Sequence, residues 1–288
     1  MKLTDISTIK ELLGGENTFF KKKFGQNFLV SEAVVGKIAA SCEDGYDVGV
    51  LEIGPGIGTL SQKLCERYKR VVSVEIDKTL IPILGKTMSD YSNFTLISDD
   101  ILKVDLRDLC GKYFNDCEKI AVCANLPYYI TTQILMFILE SGIPFSSVTV
   151  MVQKEVADRL CSLPGSDDYG AITVALNYYG RTEKIMSVSS GNFIPAPKVD
   201  SSVIRTALYE NRPVVPVDEK HMFRVIRSAF SQRRKTLSNA VKNGFPEYTR
   251  ETVERAISDS GLDLRARGET LSIADFAKLS DNLIKLNN

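Results

Sequence analysis

The residues whose types most suggest chemistry are four in a row, Asn125-Leu126-Pro127-Tyr128, closing the apolar run Ile120-Ala-Val-Cys-Ala124. An aromatic amine is a poor nucleophile because its lone pair is delocalised into the ring. Two acceptors aimed at its N–H bonds, the Asn125 side-chain oxygen and the Leu126 carbonyl, would favour a pyramidal nitrogen. Pro127 would stiffen the turn that points that carbonyl outward. The ring of Tyr128 offers a face on which an extruded base could stack. The same four residues also read as a polar turn ending a strand, a common use of Asn and Pro. Phe193, in Asn192-Phe-Ile-Pro-Ala-Pro-Lys-Val-Asp-Ser201, reads either as a second stacking ring or as core.

A second set of residues suits a nucleotide-like ligand. Val50-Leu-Glu-Ile-Gly-Pro-Gly-Ile-Gly-Thr59 sets Gly54, Gly56 and Gly58 at a strand-to-helix turn, where glycine lets the backbone approach a ligand closely. By itself such a run reads equally as a tight turn serving helix packing. The next apolar run ends in Glu75, 17 residues after Gly58, where a carboxylate can accept from both hydroxyls of a ribose. Asp100, in Ser98-Asp-Asp-Ile101, could accept from an adenine amine or could cap a helix. A nicotinamide-dependent oxidoreductase would share these features. Glu52 before the glycines and Pro55 between them tip the choice, because the ExGxGxG form resembles that of class I methyltransferases. A sulfonium donor needs alignment and desolvation more than a strong base. The single histidine, His221, lies far away in sequence, and none is required.

These residues need a scaffold that brings strand ends together. Short β-branched runs at 48–53, 71–75, 94–98, 120–124 and 147–153 alternate with amphipathic stretches, which predicts a mostly parallel, doubly wound sheet. Two later runs, 171–179 and 199–208, predict an antiparallel edge hairpin. Pro213 and Pro216 mark 211–216 as a linker, and helical patterns follow at 219–230, 235–242, 249–260 and 272–286. The expected fold is α/β: a Rossmann-like, class I methyltransferase sheet over residues 1–210 as the cofactor-binding catalytic domain. A small all-helical domain, 211–288, is expected to bind RNA.

Composition bounds the alternatives. Of 288 residues 44% are hydrophobic and 25% charged, enough for a core but with no apolar run approaching the ~20 residues of a membrane helix. Six scattered cysteines without a CxxC pair exclude a zinc cluster and a disulfide framework as expectations. With no signal peptide at the N-terminus, they read as reduced thiols of a cytoplasmic protein. The zero net charge hides a local excess, because from Lys220 to Lys242 there are seven Lys and Arg and no acid. Arg224, Arg227, Ser231 and Arg234 fall at helical spacing there, with Phe223, Ile226 and Phe230 on the opposite, core-facing side. That predicts a phosphate-binding face, against the plain alternative of a solvated helix surface.

Four motifs taken together resemble the ribosomal RNA adenine N6-dimethyltransferase family: Gly25-Gln26-Asn27-Phe28-Leu29, Glu52 to Gly58, Asn125 to Tyr128, and Phe193 to Ser201. The likeness runs from about Lys23 to Leu286. The tetrad and Ala229-Phe-Ser-Gln-Arg-Arg-Lys-Thr-Leu237 are similar to the small-subunit branch, which dimethylates two adjacent adenines in the 3′-terminal hairpin of 16S rRNA. The resemblance implies S-adenosylmethionine as donor and S-adenosylhomocysteine as product. It implies that Asn27 and Leu29 bracket the cofactor and that Gly54, Gly56, Glu75, Asp100 and Asn125 contact it. Asn125, Leu126, Pro127, Tyr128 and Phe193 would form the catalytic set, and Arg224, Arg227, Arg233, Arg234 and Lys235 the RNA contacts. The implied partner is 16S rRNA in a pre-30S or 30S subunit, bound by a monomer with no metal and no membrane. A large-subunit enzyme of the resistance type, or an assembly factor with little turnover, would share most of these residues. Residues 1–22 fall outside the motifs, and Lys21, Lys22 and Lys23 read as phosphate contacts or as a solvated run.

Overall fold

The chain begins with a short helix, α1 (Ile6–Leu12), whose N-cap Asp5 accepts from the Thr8 N–H. Leu3 and Ile9 enter the main core from this segment, which carried no motif. Next come β1 (Phe28–Leu29) and α2 (Glu32–Ala40), the latter capped by Ser31. The structure, a computed structural model, describes residues 1–14, 26–126, 130–232 and 234–287.

All six residues of β2 (Val48–Ile53) are buried, the pattern of a central strand covered on both faces. It pairs in parallel with β3 (Arg70–Glu75) on one side and β5 (Lys119–Asn125) on the other. β4 (Phe94–Ser98) joins β3, and β6 (Ser147–Gln153) joins β5, both parallel. The helices between them are α3 (Thr59–Arg67), α4 (Ile81–Thr87), α5 (Leu106–Tyr113) and α6 (Thr131–Leu139). The sheet order is therefore β4-β3-β2-β5-β6, continued by β9 (Ser201–Leu208), antiparallel to β6, and β7 (Gly180–Val188). Chain order reverses at β2, so a crevice opens at the carboxyl ends of β2 and its neighbours. Register sets Ile53 beside Val74 and Ala124, and Glu75 beside Ser98. A separate two-stranded ribbon pairs β1 with β8 (Phe193–Ile194).

The edge hairpin expected from 171–179 and 199–208 is half right. The second run is β9, but the first is a helix, α8 (Ala171–Tyr179). Six of its nine residues are buried, on more than one side, so it shows no apolar stripe. A buried helix rich in Thr, Val and Tyr then looks like a buried strand. The true edge strand, β7, carries Arg181, Glu183 and Lys184, charges that discourage further pairing.

The chain separates into two compact units, Met1–Ala157 with Glu183–Leu208, and Asp158–Thr182 with Tyr209–Asn288. The second unit thus takes in more than the expected 211–288. Within it lie α8, α9 (Glu219–Ser231), α10 (Leu237–Gly244), α11 (Arg250–Asp259) and α12 (Ile273–Asn287), while α7 (Lys154–Leu160) spans the boundary. Met222, Val225, Ile226 and Ala229 form the buried face of α9, capped by Asp218. His221 belongs to this interior: its ring nitrogens meet Ser280 Oγ at 2.8 Å and the Tyr248 hydroxyl at 2.9 Å. Burial lowers its pKa.

Candidate active site

The crevice is built first by backbone. Gly54, Gly56 and Gly58 have φ of 69°, 64° and 92°, the left-handed region that favours glycine. A Cβ on Gly58 would also stand 2.9 Å from Met88 Sδ, so this position is closed to larger residues twice over. The loop is tied to the neighbouring strand end: the Gly54 N–H donates to the Val74 carbonyl at 3.0 Å. The Gly56 N–H donates to Glu75 Oε2 at 3.1 Å, and the Asp77 N–H donates to Oε1 of the same carboxylate at 2.8 Å. Glu75 is 4% exposed, and burial raises its pKa. Glycine loop and acid are one hydrogen-bonded piece.

Glu52, which tipped the choice of cofactor at the sequence level, faces elsewhere. Its Oε2 accepts from Ser61 Oγ of α3 at 2.6 Å and from Ser73 Oγ of β3, fastening the helix that follows the glycines to the sheet. Oε1 has no hydrogen-bond partner among the described residues. Burial in this setting pushes the carboxyl up to about 7, against the pull of the two serines.

The remaining expected residues divide. Asn27, Leu29, Gly54, Gly56, Glu75, Asp100, Asn125 and Leu126 all line one cleft, together with Ile130 and Ile134 of the following segment. Asn125 Nδ2 donates to the Asn27 carbonyl at 3.5 Å, so the amide oxygen lies on the other side of the group. Asp100 lines the cleft, and its Oδ1 caps the 3-10 turn Ile101–Lys103 through the Leu102 N–H at 3.1 Å. Phe193 is a correction. It pairs with Leu29 across the β1–β8 ribbon, but its ring is buried in the core cluster and is not among the cleft residues. This placement offers no open face for stacking. Gly25, Pro127, Tyr128 and Arg233, with Lys21, Lys22 and Lys23, lie outside the described residues.

The ribosomal RNA adenine dimethylase family matches residues 17–285. The chain belongs to that family. Curated relatives include "Ribosomal RNA small subunit methyltransferase A" of Lachnoclostridium phytofermentans, 49% identical over 274 residues and 94% of each chain. The protein of that name from Geobacillus thermodenitrificans is 45% identical over 287 residues, 98% of each chain. Among solved structures, a dimethyladenosine transferase from Plasmodium falciparum superposes with a TM-score of 0.75 at 24% identity, over 90% of this chain and 98% of that one. The 23S rRNA methyltransferase ErmE gives 0.67 at 25%, over 90% and 100%. The rRNA adenine dimethylase is thus an enzyme with the class I methyltransferase fold, as its strand order already indicated.

Within this rRNA adenine dimethylase, sequence reasoning missed several cleft residues. Gln26 donates from Nε2 to Asp77 Oδ2 at 3.1 Å, joining the N-terminal motif to the end of β3. Ile76, half exposed, and Ile101 line the cleft as apolar walls on either side of the acids. The available signal was position, since Ile76 directly follows Glu75 and Ile101 directly follows Asp100.

The basic window is partly overturned. Arg224 Nη1 and Nη2 donate to the two carboxylate oxygens of Glu247 at 2.6 and 3.1 Å. Nη2 also donates to the Gly244 carbonyl at 2.8 Å, and the guanidinium lies 4.0 Å over the Phe245 ring. The acid that neutralises it comes from beyond the acid-free window. Nor is the face one continuous helix, since α9 ends at Ser231 and Arg234 and Lys235 sit in the link to α10. Arg227, Arg234 and Lys235 are exposed. Among the described residues no helix is long and apolar enough to cross a membrane, and no group of three or more His, Cys, Asp or Glu could hold a metal ion.

Proposed function

We propose that the chain transfers methyl groups from S-adenosylmethionine to the N6 amines of two adjacent adenines in the 3′-terminal hairpin loop of 16S rRNA. The product is N6,N6-dimethyladenosine in a pre-30S or 30S subunit, made by a monomer that needs no metal. One observation carries the reading: the glycine loop, Glu75, Asp100 and Asn125 converge on a single cleft in a member of this family. The names of the relatives support the small subunit as its target.

The residues present suit the cofactor. Each oxygen of Glu75 accepts one main-chain N–H and keeps a lone pair for a ribose hydroxyl. A Cβ at Gly54 would meet nothing within 4 Å, so there is open space over the loop. Ile76 and Ile101 supply apolar walls for a purine, and Asp100 an acceptor for its amine. Bound there, S-adenosylmethionine supplies a methyl group on a cationic sulfur. The chain's part is orientation and exclusion of water. With its amide nitrogen engaged by Asn27, Asn125 presents oxygen as the acceptor for the target amine, and the Leu126 carbonyl is the second acceptor. Pro127 and Tyr128 are assigned the roles their types suggest, and Ile130 and Ile134 add apolar lining to the cleft that holds Asn125 and Leu126. Arg227, Arg234 and Lys235 hold RNA phosphate.

Incubating undimethylated 30S and 50S subunits separately with the enzyme and methyl-labelled S-adenosylmethionine tests the assignment. Label is expected in 16S rRNA alone. Label in 23S rRNA, or none in 16S, would overturn it.

A further inference from the structure

Asp77 lies just past β3, is 4% exposed and is not among the cleft residues, yet it is bonded to two residues that are, Glu75 and Gln26. Its N–H donates to Glu75 Oε1 at 2.8 Å. Its Oδ1 accepts from the Thr79 N–H at 3.0 Å and from Thr79 Oγ1 at 2.7 Å, and its carbonyl accepts the Leu80 N–H at 2.9 Å. These bonds anchor the carboxylate in the turn that leads to α4. Oδ2 faces the other way and accepts from Gln26 Nε2 at 3.1 Å.

Gln26 begins a strap, residues 26–29, that crosses the carboxyl ends of neighbouring strands. Its first fastening is the bond to Asp77, after β3. The Asn27 carbonyl accepts from Asn125 Nδ2, at the end of β5, at 3.5 Å. A Cβ on Gly56 would stand 3.4 Å from Phe28 Cε1, so that ring lies against the glycine loop after β2. All four strap residues line the cleft together with Glu75 and Ile76. Of these three fastenings the second is long and neutral and the third is apolar. The first has a carboxylate as acceptor, which makes it the strongest kind of the three.

We propose that Asp77 is a positioning residue for the cofactor: through its N–H it orients Glu75, and through Oδ2 it holds the Gln26 end of the strap beside that same carboxylate. One buried acid outside the cleft thereby sets both the acceptor for the ribose and the wall next to it. The inference rests on the reading of this cleft as the S-adenosylmethionine site.

Gln26 is the place to cut, because the main-chain bonds of Asp77 survive there. Gln26→Met keeps the length of the side chain but has no donor. Its calorimetric affinity for S-adenosylmethionine is expected to fall about tenfold, within the worth of one hydrogen bond to a charged group, with the KM for the cofactor rising alike. The kcat on undimethylated 30S subunits should stay that of the parent, because Asn125 is on β5, with β2 between it and β3. Gln26→Glu sets two carboxylates face to face and should weaken binding further. Adding Asp77→Asn supplies a donor to the new acid while the remaining carbonyl oxygen still takes Thr79, and should restore affinity towards the parent's. Lost packing alone would not respond to that exchange of polarity. Parent affinity for Gln26→Met, no recovery in the double variant, or a kcat that falls together with affinity would each overturn the inference and leave the cofactor assignment standing. A parent chain that does not bind S-adenosylmethionine would overturn the assignment itself, and this inference with it.

Discussion

Charge is used in opposite settings in the two units. At the rim of the sheet, Glu52 and Glu75 are at most 4% exposed and are held by neutral N–H and O–H donors. In the helical unit the cations of interest are exposed and have no carboxylate partner among the described residues. A buried charge is fixed in place and weakly screened, so it can position a cofactor to a fraction of an ångström. An exposed charge is screened within about 10 Å and is suited to a polyanion whose register is set elsewhere. In either setting, the partner in space decides what a charge does.

The largest expected effect lies at the strand-end amide. Asn125→Ala should lower single-turnover methyl transfer by about 100-fold or more, by analogy with removing one oriented transition-state hydrogen bond. RNA affinity and its salt slope should stay those of the parent. Equal transfer rates would break the distinction between a positioning cleft and a binding face.

Glu52 tests how costly the buried setting is. Its carboxyl titrates at about 7 in the folded chain against 4.5 ordinarily, because it is buried. The unfolded chain gives up this proton first, so the group's contribution is fully present below the ordinary value and is lost as pH rises through 7. The loss amounts to about 3 kcal/mol. Glu52→Gln should therefore lack a fall in stability that the parent shows between about pH 4 and 8 in denaturant titrations. Parallel curves for parent and variant would mean the acid finds compensation that its two serines do not supply.

Glu75→Gln keeps the shape but exchanges one acceptor oxygen for a donor. Affinity for S-adenosylmethionine should fall by about 1–3 kcal/mol, the penalty of an unpaired buried polar group. Calorimetry showing unchanged affinity would remove Glu75 from the ribose. The smallest effect belongs to Arg224→Gln, which should lower Tm modestly while leaving turnover on subunits intact. Exposed ion pairs contribute little, and the ring contact with Phe245 adds to this one.

The sheet unit was the more legible because its signals are contiguous in sequence. Glycines, acid and amide each sit at the end of an apolar run, and parallel pairing carries those ends to one rim without further information. The direction in which Glu52 points was not legible, since burial on both faces of β2 leaves no alternation to read. The helical unit was less legible for a related reason. A window of charge is one-dimensional, whereas Glu247 reaches Arg224 across a turn and Ala266 reaches Leu237 from a distant loop. The misread α8 is the same failure in apolar form: residues buried on several sides carry no period.

The short ribbon that joins β1 to β8 bears on the order of assembly. Asn27 lines the cleft directly before β1, whose partner strand, Phe193–Ile194, lies near the far end of the unit's chain. On a ribosome, Gly54, Glu75, Asp100 and Asn125 have all emerged before that partner exists. Closing so long a loop is entropically late in any folding sequence. The glycine loop, the acids and the amide can therefore come together as a sheet rim before the wall carrying Asn27 and Leu29 is in place. A nascent chain stopped short of Phe193 would carry the cleft's floor without that wall.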